Sequence, residues 1–83
     1  MPAKIEYKSS VFRDLKKIGM PKAARIMDKL EKELSKNPDK GEALKGKFKG
    51  MFKLKVSDYR VLYAKTKDGV LILRIGHRKH VYR

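Results

Sequence analysis

The sequence predicts an α+β domain in which two N-terminal helices pack on one face of a twisted, mainly antiparallel sheet, in the order β-α-α-β-β-β. Three observations predict it. The chain has 83 residues, which is enough for one small domain with a modest core and too few for two lobes or a large cofactor cleft. Apolar residues recur at three- and four-residue spacing through residues 11–34, the period of amphipathic helices. From Phe48 onward the period changes to two, with turn residues between the apolar runs. The apolar fraction, 41%, suffices for a core.

The elements follow in order. Ala3-Lys4-Ile5-Glu6-Tyr7 alternates apolar and polar and reads as a short first strand. Ser9 or Ser10 supplies the cap of a first helix, whose face is Val11, Phe12, Leu15 and Ile18. Gly19 ends it. Pro21 suits the first turn of a second helix, with Ala23, Ile26, Met27, Leu30 and Leu34 as its apolar stripe. Asn37-Pro38-Asp39-Lys40-Gly41 is stop-and-turn chemistry. Phe52, Leu54 and Val56 then alternate with Met51, Lys53 and Lys55. Ser57-Asp58 makes a tight connection, and Arg60 to Thr66 is the next strand. Asp68-Gly69 signals a hairpin, with Gly46, Gly50 and Gly69 as turn glycines. Val70 to Ile75 is an almost continuous apolar run that suits a central strand. Gly76 breaks it, and His77 to Arg83 forms a short basic tail.

Charge separates the two halves. The formal net charge is +14; residues 1–42 carry +4 of it and residues 43–83 carry +10. The helical part reads as a balanced solvated surface and the strand part as the working surface. An excess this large concerns partners rather than fold, and draws nucleic acid, anionic membrane or acidic protein. There are no cysteines, which excludes a disulfide framework, thiolate metal sites and a Cys nucleophile. No apolar run approaches the ~18 residues of a membrane span, and Met1 to Tyr7 has no signal-peptide core, so a cytoplasmic protein is expected. Few amides and a preference for Lys over Arg follow a hyperthermophile tendency.

The candidate functional residues lie in the second half. Lys53 and Lys55, two apart on a strand, project from one face ~6.6–7 Å apart. Paired like charges do nothing for folding, whereas opposite a phosphodiester each neutralises a phosphate; a strand face guarded by Lys against edge pairing would carry the same pattern. Arg60 joins that pair if it shares their face, and otherwise pairs with Asp58 or a helix carboxylate. Tyr82 has the chemistry to stack on a base or to cover the sheet edge. Lys45, Lys47, Lys49, Arg74, His77, Lys79 and Arg83 add to a nucleic-acid-binding surface. A metal site at His77 and His80 lacks a nearby Cys, Asp or Glu, while an acid–base role for either is open. No cofactor motif is present.

Taken together, Leu44-Lys45-Gly46, Phe52-Lys53-Leu54-Lys55-Val56, Asp58-Tyr59-Arg60-Val61-Leu62-Tyr63, Ile75-Gly76-His77-Arg78 and Val81-Tyr82-Arg83 closely resemble the RelE family of toxins from bacterial and archaeal toxin–antitoxin pairs. The ordered motif covers residues 44–83, and the helical half agrees in pattern only. The resemblance implies one RelE-like domain over residues 1–83. It implies a toxin that cleaves mRNA in the ribosomal A site, without a metal, and an acidic RelB-like antitoxin that wraps the toxin in a hetero-oligomer. By the same resemblance Lys53, Lys55, Arg60, Arg78 and Tyr82 are the catalytic set. Lys55 matches the base and Arg78 the acid, although a guanidinium rarely gives up its proton. Three residues separate Arg78 from Tyr82, fewer than in the best-known bacterial members. A gyrase-poisoning toxin of the ParE group, which shares the fold, and a non-catalytic basic module binding RNA or the ribosome are the competing functions.

Overall fold

The structure, a computed structural model, describes residues 3–79. Its elements are strand β1 (Lys4–Tyr7), helix α1 (Ser9–Ile18), helix α2 (Lys22–Lys36), strand β2 (Glu42–Ala43), a 3-10 turn (Gly46–Phe48) and strands β3 (Met51–Val56), β4 (Tyr59–Lys65) and β5 (Gly69–His77). The five strands form one sheet in the order β1-β5-β4-β3-β2. β1 runs parallel to β5, and every other pair is antiparallel. The expected two-helix, mainly antiparallel architecture is therefore present.

Both helices cover one face of the sheet. Their periodic residues Val11, Leu15, Ala23, Ile26, Leu30 and Leu34 meet Leu54, Val56, Val61, Tyr63, Val70, Ile72 and Ile75 in one buried cluster. Burial of this cluster is the main stabilising term. The helix-facing residues of β3 and β4 alternate with Lys53, Lys55, Arg60 and Leu62, so these four share the opposite, open face.

Several boundaries differ from the sequence expectation. Neither Ser9 nor Ser10 caps α1; the cap position is Lys8, without a side-chain bond. The reason is strand pairing: the Lys8 N–H still donates to Ile72 C=O at 2.9 Å, so the chain stays tied to the sheet and turns directly into the helix. Strand β3 begins at Met51 rather than Phe48, because the 3-10 turn occupies Gly46–Phe48. The two-residue strand β2 was not foreseen. Gly76 does not break β5, since antiparallel pairing with β4 carries on through Arg60↔Gly76 and Tyr59↔His77. Gly69 is not a turn residue but the first residue of β5, opposite Lys4. A Cβ there would collide with the Lys4 backbone, so close approach of β1, not turn conformation, demands glycine. A register shift at Leu62/Tyr63 bulges β5, a device that re-aims side chains next to it.

Candidate nucleic-acid interface

The open face gathers cations at the end of the sheet formed by the β3–β4 turn. Lys55 lies directly opposite Arg60 and Lys53 opposite Leu62; this settles the face of Arg60, which periodicity left open. Gly76 follows opposite Arg60 on β5. Two residues on, the Arg78 N–H donates to Asp58 C=O at 3.0 Å, so Arg78 leaves the sheet beside the same turn. Lys53, Lys55, Arg60 and the backbone of Arg78 thus come together, although they belong to β3, β4 and the residue just past the end of β5 and span 26 positions of chain. Tyr82, His80 and Arg83 lie outside the described residues.

The four cations are held differently. Lys53 is the less exposed lysine, with its Nζ 3.5 Å from Glu42 Oε2; Glu42 sits directly opposite on β2. The Arg60 guanidinium donates to the backbone carbonyls of Ser57 and Tyr59 at 3.3 and 3.1 Å, so it pairs with neither Asp58 nor a helix carboxylate. Lys55 and Arg78 are exposed, and no described residue pairs with either side chain. Leu62, only 3% exposed although it points away from the helices, sits in register between Lys53 and Arg74.

Other sequence candidates fall elsewhere. Lys45, Lys47 and Lys49 lie in the loop before Met51, roughly 13 Å or more along β3 from Lys55 at ~3.3 Å per residue; Lys47 rests over the Phe48 ring at 5.3 Å. His77 pairs with Tyr59, on the helix side of the sheet. Its ring meets Tyr59 edge-on at 5.8 Å, and its Nδ1 accepts the N–H of exposed Lys79 at 3.3 Å. This places the imidazole away from the Lys53–Lys55–Arg60 face. Arg74 reaches Asp14 of α1, Nε to Oδ2 3.4 Å. The same carboxylate accepts the Ile75 N–H at 3.0 Å, closing the edge of β5 beyond the end of β1. Sequence reasoning missed Asp14; Glu42 stands out in the sequence as the only acid near the loop before the strands and a poor match to a catalytic Glu, and its pairing with Lys53 is what register alone supplies. Asp14 was visible as an acid three residues after Val11 and four before Ile18, on the apolar stripe of α1. Among the described residues no group of three or more His, Cys, Asp or Glu is placed to hold a metal, and no helix is long and apolar enough to cross a membrane.

This small sheet backed by two helices is similar in fold to toxins solved in toxin–antitoxin complexes. It matches the toxin–antitoxin complex RelBE2 of Mycobacterium tuberculosis with a TM-score of 0.85 and 28% identity, over 94% of this chain and 100% of that one. A conserved hypothetical protein of Helicobacter pylori matches at 0.68 and 25% identity, over 93% and 96%. The RelB–RelE complex of Methanococcus jannaschii matches in fold at 0.65 and 22% identity, over 93% and 94%. No curated protein sequence matches. Residues 5–82 match the family model of the ParE toxin of type II toxin–antitoxin systems, parDE. The chain belongs to that family, within the RelE/ParE superfamily.

Proposed function

We propose that this chain is a ribosome-dependent endoribonuclease that cleaves mRNA in the A site, inhibits translation in the cytoplasm and is held inactive by an acidic antitoxin. The observation that carries the reading is the convergence of Lys53, Lys55, Arg60 and Arg78 on one end of the open face. These are the described members of the set that the RelE resemblance implies. The reaction is attack of a ribose 2′-oxygen on the adjacent phosphorus. The phosphorus–5′-oxygen bond breaks, leaving a 2′,3′-cyclic phosphate and a 5′-hydroxyl. Lys55 accepts the 2′ proton and Arg78 delivers one to the leaving oxygen. Lys53 and Arg60 balance the charge that builds on the phosphoryl oxygens, and Tyr82 orients a nucleotide by stacking. No metal enters the scheme. A set without a conventional acid–base pair relies on the ribosome to align the 2′-oxygen.

The antitoxin reading is supported by the net charge of +14 and by the fold shared with toxins solved in such complexes. A second reading, a gyrase poison, draws on the ParE description of the matching family.

Primer extension on an mRNA translated in a cell-free system, with and without ribosomes, tests the proposal. The wild type should give cuts at A-site codons that need ribosomes and vanish in Arg78→Ala. Growth arrest without any cuts would overturn it in favour of gyrase. Efficient cleavage of naked RNA by the pure protein would overturn the ribosome dependence.

A further inference from the structure

The open face does not stop at the edge of the sheet. Because β2 pairs only with Phe52 and Lys53, the edge of β3 from Leu54 to Val56 is left uncovered, and a groove of about 560 Å³ runs past it toward α2. The groove takes in Lys53, Lys55 and Arg60 from the open face, and adds Lys29 from α2 and Lys40 from the loop that follows. Both added lysines are exposed. Neither belongs to the motif residues on which the RelE resemblance rests.

We propose that this groove is a phosphate track, which receives the single-stranded RNA on one side of the scissile bond and in which Lys29 and Lys40 bind backbone phosphates. The inference rests on the nuclease reading for its starting point, the phosphate held by Lys53 and Lys55. Its lining argues for RNA over an acidic peptide. Among the described residues, Leu54 is the only apolar side chain that lines the groove, and it is 7% exposed. Protein partners take most of their affinity from buried aromatic and aliphatic anchors, and the groove offers none. A polyanion read only through its backbone needs none.

Two carboxylates line the same groove, each held by a lysine. Glu33 Oε1 lies 4.0 Å from Lys40 Nζ, and Glu42 Oε2 lies 3.5 Å from Lys53 Nζ. An entering phosphate displaces each of them. The carboxylates thereby act as tethered competitors that hold down the affinity of the free protein for stray RNA. Exposed pairs of this kind are weak and open readily.

The test uses the purified protein and fluorescence anisotropy with uncleavable 2′-O-methyl RNA, three and nine nucleotides long. The nonamer should bind the wild type more tightly than the trimer. Lys29→Ala with Lys40→Ala should weaken the nonamer about 3–10-fold and lower its log–log salt slope by about 1.4, two single-strand contacts of ~0.7 each. The trimer should not respond. Glu33→Gln should tighten the nonamer by about 1.5–5-fold, a gain that misfolding cannot mimic. Equal effects on trimer and nonamer, or none on either, overturn the track. So does a double variant that loses a polyglutamate probe and keeps the nonamer, which would hand the groove to an acidic protein. Loss of trimer binding in Lys55→Ala monitors the nuclease site itself. If Lys55→Ala leaves the trimer untouched, the nuclease reading suffers and the track is judged on the nonamer alone.

Discussion

Replacing Tyr63 by Phe removes one oxygen atom from a fully buried residue. The hydroxyl accepts the Gly41 N–H at 2.8 Å and donates to Pro38 C=O at 2.9 Å. It therefore ties the turn after α2 to the middle of the sheet. Phe keeps the ring and its stacking on Phe52, centroid to centroid 5.4 Å, so the apolar contribution stays. What is lost is two hydrogen bonds at about 1 kcal/mol each, with the higher cost wherever the orphaned backbone groups stay dry. The expected destabilisation is about 1–3 kcal/mol, which at ~4–8 °C per kcal/mol in a domain of this size lowers Tm by roughly 4–24 °C. Gly41 leads straight into β2, where Glu42 meets Lys53, so the loosening also reaches the candidate site. Urea unfolding followed by circular dichroism gives the global value, and amide exchange at Gly41 and Glu42 gives the local one. A change below ~0.5 kcal/mol, within the range of inert surface substitutions, together with unaltered exchange, would refute the reasoning.

Lys55→Met should lower the rate of ribosomal mRNA cleavage about 10²–10⁴-fold, the contribution of a general base, while leaving the urea midpoint within the scatter of surface variants, because no described residue pairs with Lys55. Gly69→Ala should cost about 1–3 kcal/mol through overpacking against the Lys4 backbone, read as a lower midpoint with early loss of protection in β1. Burial, reinforced by Glu31, pushes Tyr7 up to about 12, and burial also raises Tyr63 despite the opposing Gly41 hydrogen bond. Below pH 10 both tyrosines are protonated in the folded and unfolded chain alike. From about pH 10 to 12 the unfolded chain releases protons that the fold retains, so stability should fall over that window, and less steeply in Tyr7→Phe. The buried Tyr7 hydroxyl has no hydrogen-bond partner among the described residues; Tyr7→Phe should therefore leave stability at pH 7 unchanged or raise it, as thermal melts will show.

The parts of the fold that local pattern encodes were legible. The stripe from Ala23 to Leu34 can bury itself only as a helix, and Phe52, Leu54 and Val56 only as a strand with one inward face. What escaped depends on register between distant segments. Strand β2 has two residues, Glu42 and Ala43, both exposed, so no apolar alternation announces it; it exists because β3 offers an open edge. Gly76 and the serines at 9 and 10 carry local signals that strand pairing overrides. Arg60 illustrates the same limit at the site. Both faces of residues 59–64 are partly apolar, because the open face also buries Leu62, and only the pairing Lys55↔Arg60 decides which face the arginine takes.

That pairing also explains why the cations are not interchangeable. Three like charges crowded on adjacent strands oppose folding, and the fold offsets each in its own way. Glu42 neutralises Lys53. Two backbone carbonyls hold Arg60, fixing its guanidinium without cancelling its charge. Lys55 is left to solvent. A phosphate arriving at this face meets a fixed fork in Arg60, whose planar donors suit two phosphoryl oxygens. It meets a lysine that must first release a carboxylate, and a lysine that gives up only water. In the reaction proposed above, the same asymmetry gives Arg60 the orienting role, Lys53 the charge compensation and Lys55 the proton transfer.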